Sequence, residues 1–245
     1  MIVFRNNTTS PAELKIKMNG TKLTPSNVIK YLGVFIDEKL NWKFHLTQLS
    51  TKLIRANSML ALIRHHVPKQ TLLSIYHGVF SSHLNYGCQI WGQAINNNSK
   101  IFRLQKKAMR IVTFSEHNSH TGPIFKELKI LKLPDIIKFY NCILVKNVLK
   151  RDIPAYFLNF FKLSSEGHNH NTRDSSNGTV TLPTIRTTTF GRNSIRFQSA
   201  IIWNQTLNEL VFSNTNEQSD NQCIKNLDTV ELKHLLKENF LNLYH

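Results

Sequence analysis

Residues 27–49, NVIKYLGVFIDEKLNWKFHLTQL, decide how the chain is read. The apolar run from Val28 to Ile36 predicts one buried strand, in which Gly33 marks a bulge or the close approach of another backbone. Asp37 marks a sharp exit, and Asn41 is placed to cap a long helix. In that helix Trp42, Leu46, Leu49, Leu53, Ala56, Leu60 and Ile63 recur at steps of four and three, one packing seam of about six turns at roughly 3.6 residues each. A strand this apolar needs neighbours on both faces, yet 26 residues precede the stretch. Its open backbone groups and apolar face would template pairing with other chains, so self-association through residues 1–40 is expected.

Upstream, Leu14, Ile16 and Met18 alternate with Glu13, Lys15 and Lys17 ahead of Asn19-Gly20, which predicts a hairpin with a type I′ turn. Downstream, Pro68 opens a second helix striped by Leu72, Leu73, Tyr76, Val79, Phe80 and Leu84. No Asp, Glu, Lys or Arg lies between Lys69 and Lys100, which places this helix at the bundle centre. It is no membrane span, because His77, Ser81, Ser82, His83, Asn85 and Gln89 interrupt any run of about 18 apolar residues. In KIFRLQKKAMR, residues 100–110, Ile101, Leu104, Ala108 and Ile111 share one face; Arg103, Lys106, Lys107 and Arg110 lie opposite, with Lys100 at the margin. A further helix from Pro134 to about Lys150 turns Ile136, Ile137, Tyr140, Ile143, Leu144 and Val148 inward, and a short apolar one follows over 155–161. Polar, turn-rich stretches cover 164–179 and 213–222. Between them Arg186, Arg192 and Arg196 stand in an extended or irregular context before a helix near Trp203, and Asp228 to Leu243 forms the last amphipathic helix. The expected fold is mainly α, with a β unit over 1–40, a helical bundle over 41–163 and an extension with a polar linker and terminal helices over 164–245.

With 41% hydrophobic residues the chain can bury a core, and 31 Lys and Arg against 15 Asp and Glu give a formal charge of +16 and a pI near 9.9. Such an excess points to a polyanionic partner, nucleic acid ahead of a membrane surface. Cys88, Cys142 and Cys223 are odd in number and outside any CxxC pattern, which reads as reduced thiols in an intracellular protein. The apolar stub MIVF is too short for the roughly 7–15-residue core of a signal peptide. Asp37-Glu38 is the sole adjacent acidic pair, and metal-dependent phosphoryl transfer needs several carboxylates converging on divalent ions. Alone ahead of a helix, the pair reads as favouring the helix dipole. His65-His66, His117 with His120, and His168 with His170 pair with no Cys, Asp or Glu at a metal-ligand spacing. No nucleophile elbow or Gly-rich phosphate loop occurs, so no catalytic or metal-binding residue is assigned.

Five stretches occur in a telling order: KYLGVFIDEKLNWKFH, HLNYGCQIWG, LQKKAMRIVTF, HNHNTR and FGRNSIRFQSAIIWNQTLNEL. Together they resemble the C-terminal portion of reverse transcriptases from non-LTR (LINE-type, jockey-like) retrotransposons, over nearly the whole chain. The resemblance implies that residues 1–40 are the end of a polymerase palm, with Tyr31, Leu32, Gly33 and Val34 in a primer-grip-like position. Residues 41–163 would then be a thumb and 164–245 a nucleic-acid-binding extension. Lys100, Arg103, Lys106, Lys107 and Arg110, with Arg173, Arg186, Arg192 and Arg196, would meet the phosphates of an RNA/DNA hybrid or duplex with little sequence preference. The family's magnesium-binding aspartates, including an F/Y-A-D-D turn, belong ahead of the segment matched by Met1. The expectation is therefore a partial reverse transcriptase that keeps template-primer-binding surface, lacks those aspartates and holds no cofactor of its own. Two other readings are a fragment of a longer gene encoding a complete RNA-directed DNA polymerase, and a domesticated interaction module whose Trp42 to Ile63 seam binds a partner helix.

Overall fold

Asn19-Gly20 turns the chain as its composition predicts. In the computed structural model, which describes residues 2–4, 16–94, 98–166, 178–187, 190–213 and 227–244, the two residues have φ of 48° and 78°. They join β1 (Lys17–Met18) to β2 (Thr21–Lys22). Residues 13–15, part of the predicted alternation, lie outside the described residues.

The run from Val28 to Ile36 is not one strand. It forms a second hairpin of β3 (Val28–Tyr31) and β4 (Val34–Asp37), with Val28 opposite Asp37 and Tyr31 opposite Val34. Leu32 and Gly33 are its turn, at φ of 45° and 83°, so the glycine serves a tight reversal and not a bulge. A leucine in the left-handed region costs about 1–2 kcal/mol. Support comes from outside the hairpin, where the Tyr86 hydroxyl donates to the Leu32 carbonyl at 2.5 Å. Each strand pairs with the other and Val34 is buried against the helices, so the lone apolar strand from which self-association is expected does not exist.

The corner after β4 rests on Asp37, which is 8% exposed. Its Oδ1 accepts the N–H groups of Lys39 and Asn41 at 3.2 and 3.1 Å, and its Oδ2 accepts that of Trp42 at 2.8 Å. Leu40 and Trp42 can then take positive φ and turn the chain into α1 (Lys43–Ile63). The helix starts later than expected: Trp42 holds the cap position, and Asn41 contributes from one residue further out by accepting the Lys43 N–H at 3.0 Å.

Trp42, Leu46, Leu49, Leu53, Ala56 and Leu60 are buried as their spacing predicts, and α1 packs chiefly on α5 (Asn98–Val112), whose Ile101, Ala108, Met109 and Val112 belong to the same core. The seam is filled from within the chain, which removes the interaction-module reading that needs it free. Between these helices α2 (Lys69–Ile75) continues through a π-helical turn (Tyr76–Ser81) into α3 (Ser82–Asn85). Leu72, Tyr76, Phe80 and Leu84 are fully buried, but Thr71, Ser74, His77, Gly78, Ser82 and His83 are exposed. The uncharged helix therefore lies at the bundle edge, its wet face made of neutral polar residues. In α4 (Cys88–Trp91) the Trp91 indole donates to the Tyr86 carbonyl at 2.9 Å. Gly92 follows against α7 (Leu133–Leu149), so close that a Cβ there would lie 2.8 Å from Ile137 Cγ1.

Helix α7 serves two cores. Leu133, Ile136 and Ile137 join the first, with Ile124 and Phe125 of α6 (Gly122–Glu127). Cys142, Ile143, Val145 and Val148 join the second, with Phe161, Val180, α8 (Ile195–Ser213) and α9 (Thr229–Asn242). Buried Asn141 stands between them, its Oδ1 accepting from Gln93 at 3.3 Å and from the Ser199 hydroxyl at 2.5 Å. The Asn204 amide pairs with both backbone groups of Val180, each at 2.9 Å, and binds an irregular strap to α8. In the last turn of α9 Leu241, and beyond the helix Tyr244, return to the first core. There the Tyr244 hydroxyl accepts the Lys132 N–H at 2.9 Å and donates to Asp135 at 2.6 Å.

The glycines give a direct test of this packing. Gly92→Ala should destabilise the protein by about 1–3 kcal/mol, through overpacking against α4 and Ile137. Gly78→Ala, where an added Cβ meets nothing within 4 Å, should stabilise it by roughly 0.5–1 kcal/mol. Urea unfolding midpoints measure both.

Candidate nucleic-acid interface

The basic residues of α5 occupy the arc opposite its buried side. Lys100, Arg103 and Lys107 are exposed. Lys106 is half-buried, with its ammonium 4.5 Å from the Phe102 ring centre, and Arg110 donates through Nε to the Ser119 carbonyl at 2.9 Å. Three of the five predicted residues thus present free charge, while the flanking two also brace the helix. The buried arc differs from its prediction as well. Its middle is Gln105, fully buried, which accepts the Leu133 N–H at 2.8 Å and donates to the Leu131 carbonyl at 2.9 Å, and Leu104 is half-buried.

Along the sequence, the basic residues of α5 stand in a long stretch without acids. From Lys39 to Ser115 the chain carries eleven Lys and Arg and no Asp or Glu, so most of the formal +16 belongs to the first helices. Exposed Lys43, Lys52 and Arg55 on α1 belong to this stretch, and Lys69 borrows Glu127 from beyond it at 2.7 Å. Electrostatic potential sums over such charges, and a surface with an excess of basic residues attracts a polyanion across about a Debye length. The imbalance was available in the sequence as a gap in the carboxylate positions.

The C-terminal arginines are dispersed. Arg186 and Arg192 are exposed in irregular segments. Arg196, in the first turn of α8, donates through Nε to the Phe160 carbonyl at 2.9 Å and ties two chain segments together. Arg173 and the histidines of HNHNTR, like Cys223, lie outside the described residues.

The β3–β4 turn lies ahead of that stretch, in a hairpin that ends on Asp37. Tyr31 and Leu32 are 62% and 74% exposed, whereas Val34 is 8% exposed, so this four-residue motif divides into a presented tip and a buried anchor. Behind the tip sits His45, 7% exposed, which the sequence did not single out although it falls on the seam three residues after Trp42. Its Nδ1 accepts the Phe35 N–H at 3.4 Å, and its ring centre lies 5.9 Å from that of Trp91. The proton therefore resides on Nε2, a buried atom with no hydrogen-bond partner. Burial, with a smaller push from the charge of Lys52, lowers the imidazole from 6.5 to about 4, so it is neutral at pH 7.

A divalent metal of the polymerase kind does not fit the residues present. Both oxygens of Asp37 are engaged by backbone N–H groups, which leaves Glu38 without a second free carboxylate beside it. Among the described residues no three His, Cys, Asp or Glu group together to hold a metal ion, and no helix is long and apolar enough to cross a membrane.

Comparison with known proteins gives the class. Over 119 residues the chain is 31% identical to a probable RNA-directed DNA polymerase from transposon X-element of Drosophila melanogaster, a match covering 47% of this chain and 13% of the relative. It is 30% identical over 125 residues to the RNA-directed DNA polymerase from the mobile element jockey of the same fly, covering 49% and 14%. A retrovirus-related Pol polyprotein from the type-1 retrotransposable element R1 of Bradysia coprophila is 23% identical over 106 residues, or 42% and 10%. No family model and no solved structure matches. About half of this chain is thus similar to a segment of the RNA-directed DNA polymerases of non-LTR retrotransposons, a shorter reach than the nearly whole-chain resemblance of its motifs. The matched segments amount to 13–14% of the length of the X-element and jockey proteins.

Two measurements check the site chemistry. Asp37→Ala should lose about 1–3 kcal/mol of stability, because buried N–H groups are left without an acceptor, while Glu38→Ala should stay within about 0.5 kcal/mol. For His45 the unfolded chain takes up a proton near 6.5 that the folded chain refuses until about 4, so stability falls as pH drops through that window. His45→Gln, which keeps an acceptor for Phe35, should show a smaller loss in urea midpoint between neutral and acid pH than the parent.

Proposed function

We propose that this chain is the nucleic-acid-holding part of a non-LTR reverse transcriptase. In this reading β3–β4 is the primer-grip-like end of the palm, the first helical core is the thumb, and the segment from the polar linker onward is an accessory nucleic-acid-binding extension. The substrate class is a template-primer hybrid or duplex, gripped through phosphates by Lys100, Arg103 and Lys107 with Lys106 and Arg110 at the flanks. Arg186, Arg192, Arg196 and Arg173 would add dispersed contacts from the extension. The single observation that carries this reading is the acid-free stretch from Lys39 to Ser115, whose uncompensated charge includes the exposed arc of α5.

Phosphate contacts fix position and carry no base information, so binding should be tight at low salt and nearly indifferent to sequence. Polymerisation with a divalent metal is proposed for the longer proteins that this segment resembles. The chain by itself should not extend a primer, since its only adjacent carboxylate pair includes an Asp37 engaged by backbone N–H groups.

The test is binding to a short DNA duplex across a salt series. The logarithm of affinity should fall linearly with that of salt at roughly 0.9 per phosphate contacted, and Lys100→Gln/Arg103→Gln/Lys107→Gln should flatten the slope by two to three such contacts, about 2–3 in all. Unchanged affinity and slope in a folded triple variant would remove α5 from the interface. Template-dependent primer extension by the purified chain would refute the holding role.

A further inference from the structure

The apolar segment over 155–161 forms a 3₁₀ turn, Ala155–Phe157, and leaves one ring outside. Tyr156 is 81% exposed, more than any other large hydrophobic side chain among the described residues. The two faces of a ring make up most of its surface, so an exposure this high leaves at least one face open. The ring is nevertheless held. Its centre lies 5.4 Å from that of Phe157 at 88° and 6.1 Å from that of Phe160 at 59°, and those two rings meet at 5.0 Å. Phe157 and Phe160 are half-buried against the second core. From α8, Arg196 donates Nε to the Phe160 carbonyl and sets its guanidinium 5.9 Å from the Phe160 ring centre. Arg196 is exposed, as are Arg151, Lys162 and Arg192, and over 151–163 and 190–200 Asp152 is the one acid against these four.

We propose that Tyr156 is a stacking platform for an unpaired base of a single-stranded nucleic acid, with Arg196 on an adjoining phosphate. An open aromatic face near a cation matches the alternation of base and phosphate along one strand, since every base offers a π-face and every phosphate a charge. The Nε of Arg196 serves the Phe160 carbonyl, which leaves the terminal nitrogens of this exposed side chain for a phosphate oxygen. A duplex does not fit the ring, because its bases are stacked on one another and present no free face. An apolar protein segment does not fit either. A single projecting ring offers little continuous apolar area, and the excess of basic residues beside it is offset only by an anionic partner. Phe157 and Phe160 fix the ring before a base arrives, so little side-chain freedom is lost on binding. The inference rests on the nucleic-acid-holding function proposed above, to which it adds an unpaired strand beside the duplex gripped by α5.

The experiment titrates the full chain into a fluorescent oligothymidylate and, separately, into a short DNA duplex, each across a salt series. Tyr156→Ala should weaken oligothymidylate binding about tenfold, with Tyr156→Phe close to the parent and duplex affinity unchanged. The salt slope should survive Tyr156→Ala, because a ring and not a charge is removed, whereas Arg196→Gln should lower it by one phosphate, roughly 0.7 on a single strand. In the parent chain, an oligothymidylate carrying 5-iodouracil should photo-crosslink to Tyr156, a readout that depends on no variant folding. Single-strand binding that Tyr156→Ala leaves unchanged, or cross-links that avoid Tyr156, overturns the platform and leaves the holding function standing. If Lys100→Gln/Arg103→Gln/Lys107→Gln leaves duplex binding intact while oligothymidylate binding depends on Tyr156, the α5 grip falls and the platform stands. A parent chain that sediments as a dimer and a Tyr156→Ala chain that sediments as a monomer, with equal single-strand affinity, assign the ring to a second copy and overturn the proposal.

Discussion

Three backbone N–H groups converging on the buried carboxylate of Asp37 hold the corner on which the N-terminal half depends. A buried charge is stable only where its lone pairs are filled, and each N–H left without a partner in such a place costs on the order of 1–3 kcal/mol. The corner therefore has one low-energy shape. It sets the end of β4 against the first turn of α1, which brings Phe35 over His45 and drives Trp42 into the core. Everything the β3–β4 tip can present to a partner is aimed by this junction. An acidic pair that invites a reading as metal chemistry is, in its buried member, a hinge pin.

Electrostatics then separates the molecule into unequal halves. Carboxylates are withheld from the chain between Lys39 and Ser115 and return after it, where Glu127, Asp135, Asp228 and Glu231 take part in local polar contacts. A basic protein with interspersed acids would have the same pI and a weaker local field. The similarity to mobile-element polymerases and the excess of basic residues are independent observations behind the polyanionic partner proposed above.

Much of the helical framework was legible because its signal is periodic. Leu46 to Leu60 on α1 repeat at helical spacing and are buried accordingly. On α7 Ile136, Ile137, Ile143 and Val148 are buried as spaced, but Tyr140 and Leu144 are half-buried, and Asn141, Cys142, Val145 and Lys146 are buried too. The β3–β4 turn was not legible, since Leu32 is apolar and lies within an apolar run. What permits its positive φ is Tyr86, 54 positions away. The same distance problem hid Gln105 and His45. A polar residue at a core position reads as an interruption until its partner is known, and those partners are set by tertiary contact. The charge-free helix misled for another reason: absence of charge is not absence of water, and His77, Ser82 and His83 face solvent without any formal charge. Of the candidate interface, the exposed arc of α5 was legible and the division of the β3–β4 motif into an exposed tip and a buried anchor was not.

The return of Tyr244 to the first core has a consequence for how the protein is made. The groove between Lys132 and Asp135 is completed by a side chain that leaves the ribosome 112 residues after Lys132. At synthesis rates of about 5–20 residues per second, the first core must wait on the order of ten seconds with Phe125 and its neighbours incompletely covered. The N-terminal core is thus kept provisional during translation and becomes final only when the distal helix has docked, which makes premature termination ahead of Tyr244 a route to aggregation and degradation.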